Sequence, residues 1–158
     1  MQLNFNSLFE GLLDSSKIWI YAANRPLDFE EAILVKNRIN EFVKGWAAHG
    51  KPLSAQGDLL LNRFIILAAD ESVTSASGCS IDSSVHFIKD LGNLLKVDFF
   101  NRMKLYVLKG EEITQIHMAD LTSHSEDLFF DPMMADLGDF RKNWISPVKD
   151  SILFKQFA

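Results

Sequence analysis

The sequence predicts an α+β domain built on an antiparallel sheet. Two observations carry this. Short β-branched and aromatic runs recur at Lys17–Ala23, Pro52–Asn62, Arg63–Ala69, Met103–Leu108 and Glu111–Met118. Helical periodicity fills the gaps after the first and third runs. The order β-α-β-β-α-β is the split, ferredoxin-like order, with two helices on one face of an antiparallel sheet. The fifth run adds an extra strand, and the C-terminal residues supply further helices. At 158 residues the chain is read as a single domain, 1–158, long enough to bury a core.

The elements follow in order. "KIWIYAA" is a strand, broken by "NRPL". Asp28 caps the first helix, with Glu31 three residues on as its capping-box partner. Phe29, Ala32, Val35, Ile39, Phe42, Val43 and Trp46 share one side of a helix predicted to run to about His49, where Gly50 and Pro52 end it. "PLSAQGDLLLN" alternates, with Leu53, Ala55, Gly57, Leu59 and Leu61 facing one way. After a turn at Asn62-Arg63, "RFIILAA" is apolar throughout, as a strand covered on both faces would be. A second helix is predicted from near Ser80, with Ile81, Val85, Ile88, Leu91 and Leu95 as its buried stripe. "MKLYVL" and "EEITQIHM" form a hairpin around Lys109-Gly110. "ADLTSHS" and "DLGDFRKNW" read as short helices. Ser146 as cap and Pro147 at the first helical position predict a terminal helix. Trp19, Trp46 and Trp144 read as core anchors.

Composition narrows the function classes. The net charge of −5, with basic residues scattered among acids, disfavours a nucleic-acid partner. No apolar run reaches the length of a membrane span, so no membrane insertion is expected. The N-terminal residues lack the pattern of a signal peptide. The single cysteine cannot form an internal disulfide and fits a reducing cytoplasm.

Three fragments imitate a nucleotide-binding cassette. "GWAAHGK" (Gly45–Lys51) fits G-x-x-x-x-G-K, "LSAQG" (Leu53–Gly57) echoes a signature loop, and "IILAADE" (Ile65–Glu71) looks like a Walker B strand. A P-loop needs a strand before it and a helix after it. Here a helix is predicted before Gly45 and a strand after Lys51. Phosphates would then meet the negative end of a helix dipole. Pro52 also replaces the magnesium-binding hydroxyl. The residues therefore predict no ATP binding at Gly45–Lys51 and no cofactor.

Ile18–Tyr21, Trp46–Leu53, Arg63–Glu71 and above all "SGCSIDSSVHFIK" (Ser77–Lys89) resemble an uncharacterised family of small bacterial proteins. Its members are often labelled "ABC transporter ATPase". The resemblance covers most of the chain. The resemblance implies relatedness and not a mechanism; the family label implies an ATPase associated with ABC transporters, and no catalytic residue is transferred from it.

The Asp70–Ser80 loop is the candidate site. Ser77, Gly78, Cys79, Ser80 and Asp82 stand where the second helix opens, and free N–H groups there suit an anion. The structural alternative is that Ser77 or Ser80 caps the helix and Gly78 permits the bend. Cys79 at a helix N-terminus would be a more acidic thiol, and His49 is the candidate base. His86, seven residues along the same helix, is poorly placed for that role. Asp70 and Glu71, with Asp82 and His86, are candidates for a hard cation, but no metal-ligand spacing is met and no metal is expected. His117 and His124 are not a zinc pattern. The sequence thus reads as a cytoplasmic protein binding an unknown protein or a small anionic ligand at Asp70–Ser80, with a homodimer as one form of partner. A cysteine-dependent enzyme using Cys79 is the alternative, and the ATPase implied by the family label is the second.

Overall fold

The computed structural model describes residues 3–48, 50–72 and 74–157. Along the chain come β1 (Lys17–Ala22), α1 (Phe29–Gly45), a small hairpin of β2 (Ala47–Ala48) and β3 (Lys51–Pro52), β4 (Ser54–Leu60), β5 (Phe64–Asp70) and α2 (Gly78–Leu95). Then follow β6 (Lys104–Lys109), β7 (Glu112–His117), a 3-10 helix (Met118–His124), β8 (Leu128–Phe130), α3 (Leu137–Asn143), β9 (Ile145–Pro147), a 3-10 turn (Val148–Asp150) and α4 (Ile152–Phe157). The class is α+β, as the sequence predicts, and the strand pairings are antiparallel.

Strand β5 lies between β1 and β4, and every residue from Phe64 to Ala69 is buried. Strand alternation divides those residues between two cores. Ile65, Leu67 and Ala69 face α1 and α2, packing with Val35, Ile39, Ile88 and Leu91. Phe64, Ile66 and Ala68 face the other way, against Tyr106, Leu108, Phe130 and Trp144. Those partners belong to a second sheet, ordered β7-β6-β8-β9, and to the residues just after α3. The far face of that sheet forms a third core of Leu105, Val107, Phe129 and Leu153 with Leu121 and Val148 of the 3-10 segments.

One extended ferredoxin-like sheet is therefore not what forms. The order β1-β5-β4 matches the split pattern, but β6 pairs with β7 and β8 instead of β1. The cause lies in β5. A strand apolar on both faces needs a layer on each, and the helices cover only one. The C-terminal part supplies the other layer. Its strands β8 and β9, three residues each, escape periodicity analysis, and the proposed cap at Ser146-Pro147 falls within β9. The terminal helix begins at Ile152, where Ser151 Oγ accepts from Phe154 N at 3.1 Å.

The helices largely obey local rules. Asp28 and Glu31 form the predicted capping box: Glu31 N donates to Asp28 Oδ1 at 2.8 Å and Asp28 N to Glu31 Oε1 at 3.0 Å. Arg25 forks onto Glu31 at 2.9 and 2.8 Å and donates to Leu95 O at 2.9 Å, tying the start of α1 to the end of α2. The Arg25 hydrogen bonds, then that from Asp28 N–H, pull the Glu31 carboxyl down to about 2. Helix α1 stops at Gly45 rather than near His49, because Trp46 turns extended; His49 lies outside the described residues. Phe29, at the first turn, is 79% exposed and not on the core side.

In α2 the buried face is Ser80, Ser84, Ile88, Leu91 and Gly92. Ile81, Val85 and Leu95 are only half-buried, so the predicted stripe is rotated. Ser80 and Ser84 tolerate burial because their hydroxyls bond back to the carbonyls of Ser77 (2.8 Å) and Ile81 (2.6 Å).

Gly57 sets how closely α1 approaches the sheet. A Cβ placed there would lie 2.6 Å from Ile39 Cγ2 and 2.9 Å from Leu67 Cδ2, inside van der Waals contact. Gly57→Ala should therefore destabilise the fold by about 1–3 kcal/mol, the usual cost of overpacking. Urea unfolding measures this. A loss below about 0.5 kcal/mol would mean that α1 lifts freely from β4.

Candidate functional site

The residues predicted for an anion site do come together at the start of α2. Their polar atoms are largely occupied with one another. Ser77 caps the helix: its Oγ accepts from Ser80 N at 3.1 Å, and Ser80 Oγ accepts from Ser77 N at 2.7 Å. Ser80 is buried, and its carbonyl accepts from Trp46 Nε1 at 2.8 Å, which locks the end of α1 to the start of α2. Gly78, Cys79 and Asp82 are exposed. The box satisfies Ser77 and Ser80 and leaves the N–H groups of Gly78 and Cys79 on the open first turn.

The adjoining carboxylates serve the loop itself. Asp70 Oδ1 accepts from Ser72 N at 2.9 Å, and Glu71 Oε2 from Ala76 N at 2.8 Å. Lys17 Nζ pairs with Glu71 Oε1 at 3.2 Å. Among the described residues no group of three His, Cys, Asp or Glu side chains is arranged to hold a metal. His86 is exposed on α2. The candidate base His49 lies outside the described residues. His124 pairs with Asp127, Nδ1 to Oδ2 at 2.7 Å, and this contact is the main cause of the lowered Asp127 pKa. At the cassette-like segment, α1 ends at Gly45, β2 follows at Ala47–Ala48 and β3 begins at Lys51, so a helix leads into the segment and a strand follows it, as expected from the sequence.

A second region has no counterpart in the sequence reading. Because β6 leaves the first sheet, the outer edge of β1 is only partly covered. Ile18 N donates to Ala135 O at 3.2 Å, and Lys17 bridges Asp136. Antiparallel pairing makes alternate residues face alternate neighbours, so Ile20 and Ala22 turn their N–H and C=O groups outward as Ile18 does. Among the described residues no hydrogen bond reaches the outward backbone groups of Ile20 or Ala22. At the far end, Tyr106 OH donates to Ala23 O and Gln115 Nε2 to Asn24 O (3.1 Å), closing the gap.

This open edge lies along a groove of about 430 Å³. Ile20 and Ala22 form one wall, with Asn101, Arg102 and Lys104 at the start of β6. Leu105, Met118 and Leu153 add apolar surface, and Pro132 and Met133 form a rib. Beyond that rib a second hollow, of about 480 Å³, holds Asp131, Asp139 and Asp150 with Met134 and Ile152. Asp131 is buried, its Oδ1 accepts from Met133 N at 2.8 Å, and burial, with a smaller contribution from Asp139, raises its carboxyl pKa.

Comparison with protein-family models, curated proteins and solved structures finds no match. Functional inference rests on this geometry. No helix among the described residues is long and apolar enough to cross a membrane.

The other sheet edges differ from β1. On β4 the outward-facing Leu59 N is taken by Asp58 Oδ1 at 2.8 Å, and Lys36 pairs with that carboxylate at 3.7 Å. Strand β7 exposes Glu112 and Gln115, and β9 is three residues ending in Pro147. Charge, proline and shortness are the ordinary guards of an edge. The open stretch of β1, Ile20–Ala22, carries neither charge nor proline.

The Ser77 box has a measurable consequence. Ser77→Ala should lower stability by about 1 kcal/mol, the usual worth of an N-cap, in thermal or urea unfolding. An unchanged stability would show that the first turn of α2 is held by Trp46 and Ser80 alone.

Proposed function

We propose that this chain is a cytoplasmic binding protein that takes an extended segment of a partner protein along the open edge of β1. The observation that supports this reading is the pair Ile20 and Ala22, whose outward backbone groups face a groove and have no hydrogen-bond partner among the described residues. Strand addition draws affinity from such groups, and neighbouring pockets receive alternate side chains. Met118, Met133, Leu105 and Leu153 offer those apolar contacts, and methionine surfaces adapt to varied side chains.

The test uses an acetylated six-residue peptide of alternating valine and glutamate. Binding should shift the Ile20 and Ala22 amide signals and slow their hydrogen exchange. Ala22→Pro removes an N–H facing the groove without touching the ladder to β5. It should weaken binding at least tenfold while the protein stays folded. Millimolar peptide that leaves both amides unperturbed would sink the reading, as would full binding to a folded Ala22→Pro variant.

A second reading places a small anion on the Gly78 and Cys79 N–H groups, supported by the exposure of both residues beside the capped turn. Inorganic phosphate at millimolar concentration should then shift amides confined to Gly78–Asp82. Unchanged spectra there would leave Ser77 and Ser80 with the capping role alone.

A further inference from the structure

We infer that the segment received by the β1 groove is acidic on the side it turns to β6, and that Arg102 and Lys104 select it. This rests on the strand-addition reading and adds the chemistry of the partner.

The two cations flank one end of the groove, and among the described residues no carboxylate lines it. Among the described residues neither Arg102 nor Lys104 enters an ion pair, although the chain carries 21 acidic residues against 16 basic ones.

Strand geometry fixes where Lys104 points. Alternation on β6 puts Leu105 and Val107 into the outer core and Tyr106 and Leu108 against the first sheet. Lys104 shares the face of Tyr106, which hydrogen-bonds to the end of β1. Lys104 is half-buried and lines the groove. Arg102 stands in the turn just before, exposed. An added strand pointing alternate side chains toward β6 would place carboxylates at these cations, where partial desolvation strengthens the attraction. Side chains of that same face further along the segment would meet Met118, Met133 and Leu153, while the intervening ones point away from β6.

The experiment compares two acetylated hexapeptides, one alternating valine with glutamate and one alternating valine with glutamine, by isothermal titration calorimetry on the full chain. The glutamate peptide should bind at least tenfold more tightly at low salt. Its advantage should shrink at 0.5 M salt and disappear in the double variant Arg102→Glu, Lys104→Glu. The two-peptide comparison on the unmodified protein needs no variant to fold. Equal affinity for both peptides, still sensitive to Ala22→Pro, would overturn the charge selection and leave strand addition standing. No binding of either peptide would remove strand addition itself. Sedimentation showing a peptide-free dimer that Ala22→Pro dissolves would make a second copy of this chain the occupant and overturn the acidic partner.

Discussion

The fold depends on β5 being apolar on both faces. Six consecutive residues, Phe64–Ala69, are buried, and neither face of the strand can turn to water without exposing large apolar side chains. Each face must be covered, and each cover has its own logic. The helices meet Ile65, Leu67 and Ala69 because Gly57 lets α1 come close to β4. The second sheet meets Phe64, Ile66 and Ala68 through an aromatic cluster: Phe64 lies edge-on to Tyr106 and Trp144, with ring centroids 5.4 and 5.0 Å away. Such aromatic pairs contribute beyond the area they bury. Recruiting β6 to this cover is what takes it from the edge of β1. The groove is a by-product of completing the core.

Part of this was legible from residues alone. "RFIILAA" already states a two-sided strand, and the Asp28–Glu31 box and the Lys109-Gly110 hairpin follow from local chemistry that tertiary structure does not overrule. The ferredoxin-like arrangement conflicts with that first statement, since helices on a single face leave half of β5 uncovered. Periodicity could not resolve the conflict. The covering strands β8 and β9 are too short to show alternation, and Ser146-Pro147 has the chemistry of a helix start as well as of a strand end. In α2 the rotated face was hidden for another reason. Serines look like solvent residues until their hydroxyls bond back to the helix, as those of Ser80 and Ser84 do.

The two candidate sites differ in how sequence encodes them. Ser77, Gly78, Cys79, Ser80 and Asp82 are contiguous, so their grouping at one helix end was readable. What was not readable was that Ser80 would be consumed by Ser77 and Trp46, and Glu71 by Lys17 and Ala76. The β1 groove has the opposite character. Ile20, Arg102, Met118, Met133 and Leu153 lie far apart in the chain and share no motif. The feature that joins them is a missing strand, which no residue type announces.

An open edge carries a hazard as well as an opportunity, because unpaired strands invite aggregation. The way β1 is bounded limits that hazard. Ile18 is held by Ala135 at one end, and Tyr106 and Gln115 close the other through Ala23 and Asn24. What stays free spans about four residues, or roughly 10–13 Å at the usual strand rise. It also lies in a recess behind Pro132 and Met133 rather than on a flat rim. Broad edge-to-edge stacking would need a long, flat and accessible ladder. A single extended segment needs only a short one with side-chain pockets beside it. The same boundaries that keep the chain from pairing at random therefore define the length and approach of a specific partner.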